Sequence, residues 1–226
     1  MRPAAPIGLG GLLLTYLGAQ VAGAVLTSLL ATSLAGGSLA RANLLTLQLG
    51  YALASLVLLG ASAAALARVP GPRRPGMAWP GARWALGGVL AGLLLKLAGD
   101  GLAALEGRLT PVHGNNPLVI HPQAFAGGLP LAGLAASLVL FAPAAEELFF
   151  RGLVYGWLRA RLGPWPSSLV SGLAFAAAHA NLSLLAPLWL LGIGLAWLYE
   201  RSGSLLTSVA AHCAVNAASL ALTLVS

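Results

Sequence analysis

The chain has 226 residues, of which 58% are hydrophobic and only 8% are charged, and its mean hydropathy is +0.87. A soluble domain carries roughly 25% charged residues, and this chain has too few polar side chains to cover a water-exposed surface. Its net charge of +7 comes from eleven arginines and one lysine against five acidic residues. In a membrane protein such a balance is typical of cytoplasmic loops, so no nucleic-acid partner is expected.

Apolar segments recur along the whole chain and predict an all-α, polytopic transmembrane bundle of about seven spans, within a range of six to eight. About 20 apolar residues in a helix cross a hydrocarbon core of ~30 Å. The first run begins at Ile7 and is too long for a signal-peptide core, so we expect it to be retained. The whole chain, 1–226, is predicted to be a single membrane domain. The predicted spans are 7–34, 44–67, 84–105, 130–158, 166–184, 187–200 and 205–225.

Arginine placement predicts the orientation of these spans, because short cytoplasmic loops accumulate Lys and Arg. With seven spans, eight arginines fall on one side, and only Arg41 and Arg108 lie in loops of the other. The N-terminus and the basic loops are therefore predicted to be cytoplasmic, and the segment 106–128 is predicted to be an external loop. The arginines on the predicted cytoplasmic side are Arg2, Arg68, Arg73, Arg74, Arg83, Arg159, Arg161 and Arg201.

Ionisable side chains inside membrane spans are rare, costly and usually functional. In this chain they are Lys96, Asp100, Glu146, Glu147, Arg151, His179 and His212, and Asn216 adds a strongly polar amide. Lys96 and Asp100 are four residues apart on one predicted helix, which favours a mutually neutralising pair. A role in substrate binding or gating is the alternative for that pair.

The stretch FAPAAEELFFRG, residues 141–152, contains two adjacent glutamates. Glu147 and Arg151 are four residues apart and are predicted to pair along a helix. Glu146 lies ~100° around that helix from Glu147, so we expect it to face the bundle interior. A buried carboxylate can serve as a general base near neutral pH. The alternative is an ion network with a purely structural role.

Two further stretches, FAAAH ending at His179 and HCAVN beginning at His212, place polar groups on other spans. Phe175 shares a helical face with His179, and His212 shares one with Asn216. At ~1.5 Å rise per residue, Glu146, His179 and Asn216 lie ~18–20 Å from predicted cytoplasmic helix ends, and His212 lies ~12 Å from one. The four polar groups are therefore predicted to converge in one layer.

Several hydrolytic chemistries do not fit this set of residues. The zinc-protease string HExxH is absent, Asp100 is the only aspartate, and no serine stands in a distinctive motif. A glutamate with two histidines remains, which fits either a glutamate-activated water or a zinc ion. The metal ligands would then be Glu146, His179 and His212, with one position left for water.

The strings EELFFRG, FAAAH and HCAVN resemble, in this order, the motifs EExxxR, FxxxH and HxxxN of the CAAX protease and bacteriocin-processing (CPBP, or Abi) family. That family includes the eukaryotic type II CAAX prenyl endopeptidase. The resemblance covers a core of about 130–225, whereas the N-terminal spans within 1–128 carry no diagnostic motif.

This resemblance implies an intramembrane endopeptidase and a role for each matching residue. Glu146 would activate the attacking water as general base, and His179 would help to bind or polarise that water. His212 and Asn216 would stabilise the oxyanion of the tetrahedral intermediate. The residues expected to shape the site are Glu147, Arg151 and Phe175.

Other functions remain open at this stage. The chain could be a non-proteolytic self-immunity or scaffolding member of the same family, or a proton-coupled transporter, because buried Glu and His also serve proton pathways. The expected partners are a membrane-associated peptide or protein substrate and the lipid bilayer. The glutamate–water arrangement needs no metal, so we expect no tightly bound one, with zinc as the alternative. The short chain, rich in Ala, Leu and Gly and using Arg over Lys, indicates a prokaryotic cytoplasmic membrane.

Overall fold

The computed structural model describes residues 8–35, 39–68, 76–109, 132–133 and 135–225, with the backbone alone at 35, 39–49, 51 and 109. Every regular element within these ranges is a helix. Four helical stretches are long and apolar enough to cross a membrane, and they confirm the predicted all-α membrane fold. These stretches are Leu9–Leu34, Ala82–Arg108, Leu182–Ser202 and Leu205–Val225.

The predicted second span lies within the longer helix α2 (Leu39–Ala67), of which residues 39–49 and 51 are described by their backbone alone. The predicted span 130–158 is built from several short helical segments in the part that the structure describes. Most of the predicted external loop 106–128 lies outside the described residues, as do Arg2, Arg73 and Arg74.

The chain divides into two compact units. The first is Met1–Arg74 with His121–Phe149, and the second is Pro75–Ile120 with Phe150–Ser226. Each unit thus combines two segments that are not adjacent in the sequence. The prediction of a single membrane domain stays a prediction.

In the first unit, α1 (Leu9–Ala35) packs against α2 (Leu39–Ala67), and α2 also contacts the short helix α4 (Ala142–Glu147). The crossing of α1 and α2 is close at Gly23, where an added Cβ would lie 2.7 Å from the Cα of Ala54. Small residues at such crossings let helix backbones approach each other in a membrane, where packing drives association.

In the second unit, α3 (Ala82–Leu109) packs against α7 (Leu185–Ser202) and α8 (Leu205–Val225), and α6 (Pro164–Ala178) packs against α7. The short helix α5 (Gly156–Leu162) precedes α6. The connections use glycine where the backbone must turn, since Gly163 has φ +81° and Gly203 has φ +67°. Glycine adopts positive φ without the steric penalty of a side chain.

The start of α8 is fixed by the segment that leads into α3. The amide of Leu205 donates to the carbonyl of Gly76 at 2.8 Å, and the hydroxyl of Ser204 donates to the carbonyl of Ala78 at 2.7 Å. Further along, Gly88 and Gly92 of α3 face the backbone of α8 so closely that a Cβ on either would clash. The Gly-x-x-x-Gly spacing thus sets the position of α8.

Candidate active site

The paired glutamates lie at the end of α4 in the first unit. Glu147 is fully buried and Glu146 is half-buried. A π-helical segment, Ser137–Phe141, comes directly before α4, and the amide of Ala142 donates to the carbonyl of Ser137. Pro143 at the start of α4 has no amide hydrogen and cannot continue a regular ladder. Pro143 therefore explains why the helix departs from α-helical geometry before the glutamates.

A second π-helical segment, Leu148–Tyr155, follows the glutamates at once and contains Arg151. π-Helical turns are rare and are found frequently at functional sites. Sequence reasoning assumed α-helical spacing between Glu147 and Arg151, whereas Arg151 lies in the π-helical segment. The predicted ion pair between them stays a prediction.

In the second unit, four side chains surround the ring of Phe175, which is fully buried. The ring centroid lies 5.3 Å from Phe150, 4.7 Å from His179 and 5.6 Å from His212. The guanidinium Cζ of Arg151 lies 4.8 Å from the same centroid. We call these five residues the Phe175 cluster. Edge-to-face contacts and a cation over a ring face are both favourable geometries for an aromatic side chain.

The structure places His179 at the end of a helix rather than inside one. Helix α6 ends at Ala178, and His179 caps it, donating its amide to the carbonyl of Ala176 at 3.2 Å. Ala180 then has φ +50°, a conformation that reverses the chain. The prediction of a continuous span over 166–184 is therefore wrong at its C-terminal end.

The imidazole of His179 is oriented by its own helix. Its Nδ1 lies 2.8 Å from the carbonyl oxygen of Phe175. A carbonyl oxygen only accepts hydrogen bonds, so Nδ1 must carry the hydrogen. In the neutral ring Nε2 then has a free lone pair and can accept a hydrogen bond from a water molecule.

Arg151 is fully buried and connects the second π-helical segment to α7. Its Nη2 donates to the carbonyl of Gly192 at 2.9 Å. Gly192 also meets Gly172 of α6, because a Cβ added to it would lie 2.7 Å from the Cα of Gly172. A close glycine crossing of α6 and α7 therefore presents the carbonyl that Arg151 binds.

His212 and Asn216 lie one turn apart on α8. His212 is buried and Asn216 is half-buried. Ala211, next to His212, is the residue whose backbone faces Gly92 of α3. The position of the His212 side chain therefore depends on the close contact between α3 and α8.

A sequence model of a protein family matches residues 128–218, and its description is Rce1-like, type II CAAX prenyl endopeptidase Rce1-like. All seven motif residues, from Glu146 to Asn216, lie inside this range. The chain carries an Rce1-like domain. This confirms the family that the three motifs indicate.

The comparison with curated proteins adds one relative of this chain. An Escherichia coli protein described as an uncharacterized 24.3 kDa protein is 37% identical over 81 residues. The match covers 34% of this chain and 37% of that relative, so it spans little more than a third of either protein. No solved structure matches the chain.

The Rce1-like domain also contains a polar cluster that sequence reasoning missed. The carboxylate of Glu200, near the end of α7, accepts from the hydroxyl of Tyr155 at 2.6 Å and from Arg159 Nη2 at 2.9 Å. The hydrogen bond to Glu200 raises the pKa of the Arg159 guanidinium. Tyr155 and Glu200 are 45 residues apart, so no local pattern reveals this contact. The cluster ties the second π-helical segment to the C-terminal end of α7.

Other polar residues make contacts only three or four positions along the chain. Lys96 Nζ lies 2.5 Å from Asp100 Oδ2, which confirms the predicted pair along α3. Three serines at the start of α6 donate to carbonyls three or four residues back, a common use of hydroxyls in membrane helices. These serines are Ser167, Ser168 and Ser171.

The structure therefore brings together part of the predicted site in the Rce1-like domain. Arg151, Phe175, His179 and His212 form one cluster in the second unit, with Asn216 one turn from His212. Glu146 and Glu147 belong to the first unit, and their predicted convergence with the histidines stays a prediction. Within the described parts of the chain, no group of three or more His, Cys, Asp and Glu side chains has a geometry that could hold a metal ion.

Proposed function

We propose that the chain is an intramembrane endopeptidase that hydrolyses a peptide bond of a membrane-associated substrate with a water activated by Glu146. The main support is the family match, which encloses all three motifs in their expected order. The orientation of His179 is further support, because Nε2 of the neutral ring has a lone pair that can accept a hydrogen bond from a bound water.

In this mechanism the Glu146 carboxylate takes a proton from water as the water oxygen attacks the carbonyl carbon of the substrate. His179 Nε2 accepts a hydrogen bond from the same water and keeps the water oxygen directed at that carbon. Donors on His212 and Asn216 stabilise the oxyanion that forms. The intermediate then collapses, the carbon–nitrogen bond breaks, and the proton held by Glu146 passes to the leaving amine.

The low exposure of the Phe175 cluster supports this chemistry. His212 has 3% of its surface exposed and Arg151 has none. Hydrogen bonds to a developing negative charge are stronger where water is excluded, because the effective dielectric constant is lower. Arg151 and Phe175 would fix the two imidazoles rather than touch the substrate.

The proposed reaction needs no metal ion. Water is deprotonated by a carboxylate, and the oxyanion is held by side-chain donors. We therefore expect cleavage to persist after treatment with a chelator. Loss of activity with EDTA and its return with zinc would instead favour a metal ion held by Glu146, His179 and His212.

We further propose that the basic end of the second unit faces the cytoplasm of a prokaryotic cell. Arg159 binds Glu200, the neighbour of Arg201, and Gly76, seven residues before Arg83, contacts the start of α8. These contacts support the proposal that four arginines lie at the same end of the second unit, as expected for a cytoplasmic face. The four are Arg83, Arg159, Arg161 and Arg201. Reporter fusions inserted at Gly163 test this orientation.

The decisive experiment compares membrane peptides in cells that express the wild type or Glu146→Gln. Glutamine keeps the shape of glutamate but cannot accept the proton, so cleavage products should be lost. Glu106→Gln, in the last turn of α3, is the matched control and should leave the products unchanged. Retained products in Glu146→Gln cells would exclude Glu146 as the base.

The Glu146→Gln variant, in two other assays, distinguishes the other candidate functions. A self-immunity or scaffolding protein would keep its phenotype with both Glu146→Gln and His212→Ala. A transporter would show proton flux in liposomes that Glu146→Gln abolishes, without any difference in peptides.

A further inference from the structure

The second π-helical segment, Leu148–Tyr155, is bound to α7 by two of its side chains. Arg151 donates from Nη2 to the carbonyl of Gly192 at 2.9 Å, and the hydroxyl of Tyr155 donates to Glu200 Oε2 at 2.6 Å. The two acceptors lie eight residues apart on α7, which corresponds to ~12 Å along a regular helix. One straight helix therefore supports the π-helical segment at two separate points.

The contact between Tyr155 and Glu200 is held in place from both sides. Tyr155 is fully buried, and its ring stands edge-on to that of Tyr199, with the centroids 5.9 Å apart. Arg159 binds both oxygens of the Glu200 carboxylate, since its Nε lies 3.0 Å from Oε1 and 3.2 Å from Oε2. A hydrogen bond to a charged acceptor is stronger than one between neutral groups. Glu200 is thus a fixed and strong acceptor for the end of the segment.

These contacts favour π-helical over α-helical geometry in the segment. The amides of a π-helix bond five residues back instead of four, so the chain winds less tightly than in an α-helix. If the segment relaxed to an α-helix, Tyr155 would rotate about the helix axis relative to Arg151. The contacts of these two side chains with α7 could not then both be kept. The bond between Tyr155 and Glu200 therefore favours the geometry in which Arg151 reaches Gly192.

We infer that Glu200 is a positioning residue for the Phe175 cluster and that it acts through Tyr155. Arg151 lies one turn before Tyr155, and its guanidinium Cζ is 4.8 Å from the centroid of the Phe175 ring. That ring also contacts both imidazoles of the cluster. The inference rests on the proposed function, in which these imidazoles bind the water and the oxyanion. It assigns a role in the reaction to a residue that lies outside all three motifs.

The Tyr155→Phe variant tests this role, because it removes the hydroxyl and keeps the ring that packs on Tyr199. We expect kcat to fall about five- to tenfold, because the guanidinium shifts against the Phe175 ring and the imidazoles move with it. KM should stay within about twofold, because Tyr155 is buried and does not touch the substrate. Glu200→Leu should lower kcat in the same way, whereas Glu200→Gln keeps an acceptor oxygen and should restore part of it. The substrate is a peptide identified by the comparison of wild type with Glu146→Gln.

Ser204→Ala is the matched control for the loss of one hydrogen bond. The Ser204 hydroxyl donates to the carbonyl of Ala78 at 2.7 Å, so this variant also removes a bond between distant parts of the second unit. It should lower Tm by a few degrees and leave kcat unchanged. If Tyr155 only stabilises the fold, Tyr155→Phe should behave like this control, and an unchanged kcat would overturn the inference.

A second measurement needs no substrate. Thermal unfolding of the purified full-length protein is compared for wild type, Tyr155→Phe, Arg151→Gln and the double variant. If both side chains hold one segment on α7, Arg151→Gln should lower Tm by less in the Tyr155→Phe background, because the Arg151 contact is already weakened there. Additive shifts would overturn the inference.

Amide hydrogen exchange covers the case in which Arg151→Gln does not fold. Exchange within the second π-helical segment should be at least about tenfold faster in Tyr155→Phe than in wild type, because a contact that closes the segment is lost. Ser204→Ala should exchange there at the wild-type rate. Equal exchange in Tyr155→Phe and wild type would reject the role of Glu200.

The two proposals fail in different ways. If Glu146→Gln cleaves as well as the wild type, the proposed function fails, and the thermal cycle still reports whether Tyr155 and Arg151 act together. If Glu146→Gln is inactive and Tyr155→Phe keeps full kcat, only the inference about Glu200 fails.

Discussion

Replacing Gly192 with alanine should destabilise the protein, because Gly192 stands where α6 and α7 touch through their backbones. Its added Cβ would lie 2.7 Å from the Cα and 2.9 Å from the carbonyl oxygen of Gly172. Carbon atoms in ordinary contact are ~3.5–4.0 Å apart, so the helices must separate by ~1 Å. Both atoms that obstruct the Cβ belong to the backbone and cannot rotate away.

Overpacking of this kind costs about 1–3 kcal/mol. The carbonyl of Gly192 also accepts the Arg151 hydrogen bond of 2.9 Å. A shift of α7 would lengthen that bond and move the guanidinium relative to the Phe175 ring. We therefore expect Gly192→Ala to lose about 2–4 kcal/mol of unfolding free energy in total.

Unfolding of the purified protein in detergent measures this loss, with Gly101→Ala as the matched control. Gly101 is also inside a membrane helix, α3, but a Cβ there meets nothing within 4 Å. Alanine should be neutral there or should stabilise by up to about 1 kcal/mol, because it favours helix. If Gly192→Ala proves as stable as Gly101→Ala, the close crossing of α6 and α7 is not a constraint and the reasoning is refuted.

Three further outcomes are expected. Glu200→Gln should lose about 1–2 kcal/mol in unfolding experiments, since Arg159 and Tyr155 both donate to that carboxylate and the site is partly exposed. Phe175→Leu should lose about 1–3 kcal/mol and lower peptide cleavage, with unchanged stability contradicting the role of the ring. EDTA should leave peptide cleavage within about twofold of the untreated rate, and a complete loss that zinc restores would contradict the metal-free reaction.

The sequence predicted the features that depend on composition and short spacing. Hydropathy identified the membrane fold, and the three motifs identified the family. The i, i+4 rule predicted the Lys96–Asp100 pair, because both partners lie on one regular helix. The grouping of Phe175 with His179 follows from the same rule, since the hydrogen bond that orients His179 runs from one turn to the next.

Other features depend on information that hydropathy does not contain. Apolar side chains indicate whether a helix is surrounded by lipid or by water. They do not indicate whether its amides bond to carbonyls four residues back, as in an α-helix, or five residues back, as in a π-helix. The π-helical segment Leu148–Tyr155 was therefore missed. The end of α6 at Ala178 lacks a glycine or proline signal, because Ala180 adopts the positive φ. The Glu200 contacts join residues more than 40 positions apart, beyond any local pattern.

One ring, that of Phe175, is shared by Phe150, Arg151, His179 and His212. The energies of these four contacts are therefore not independent, because removing one neighbour lets the ring shift against the other three. The loss of unfolding free energy in each single substitution around the ring should therefore overstate the contribution of that residue. The four losses should sum to more than the loss seen when Phe175 itself is replaced. A homologue that changes one of these neighbours should carry a compensating change at another.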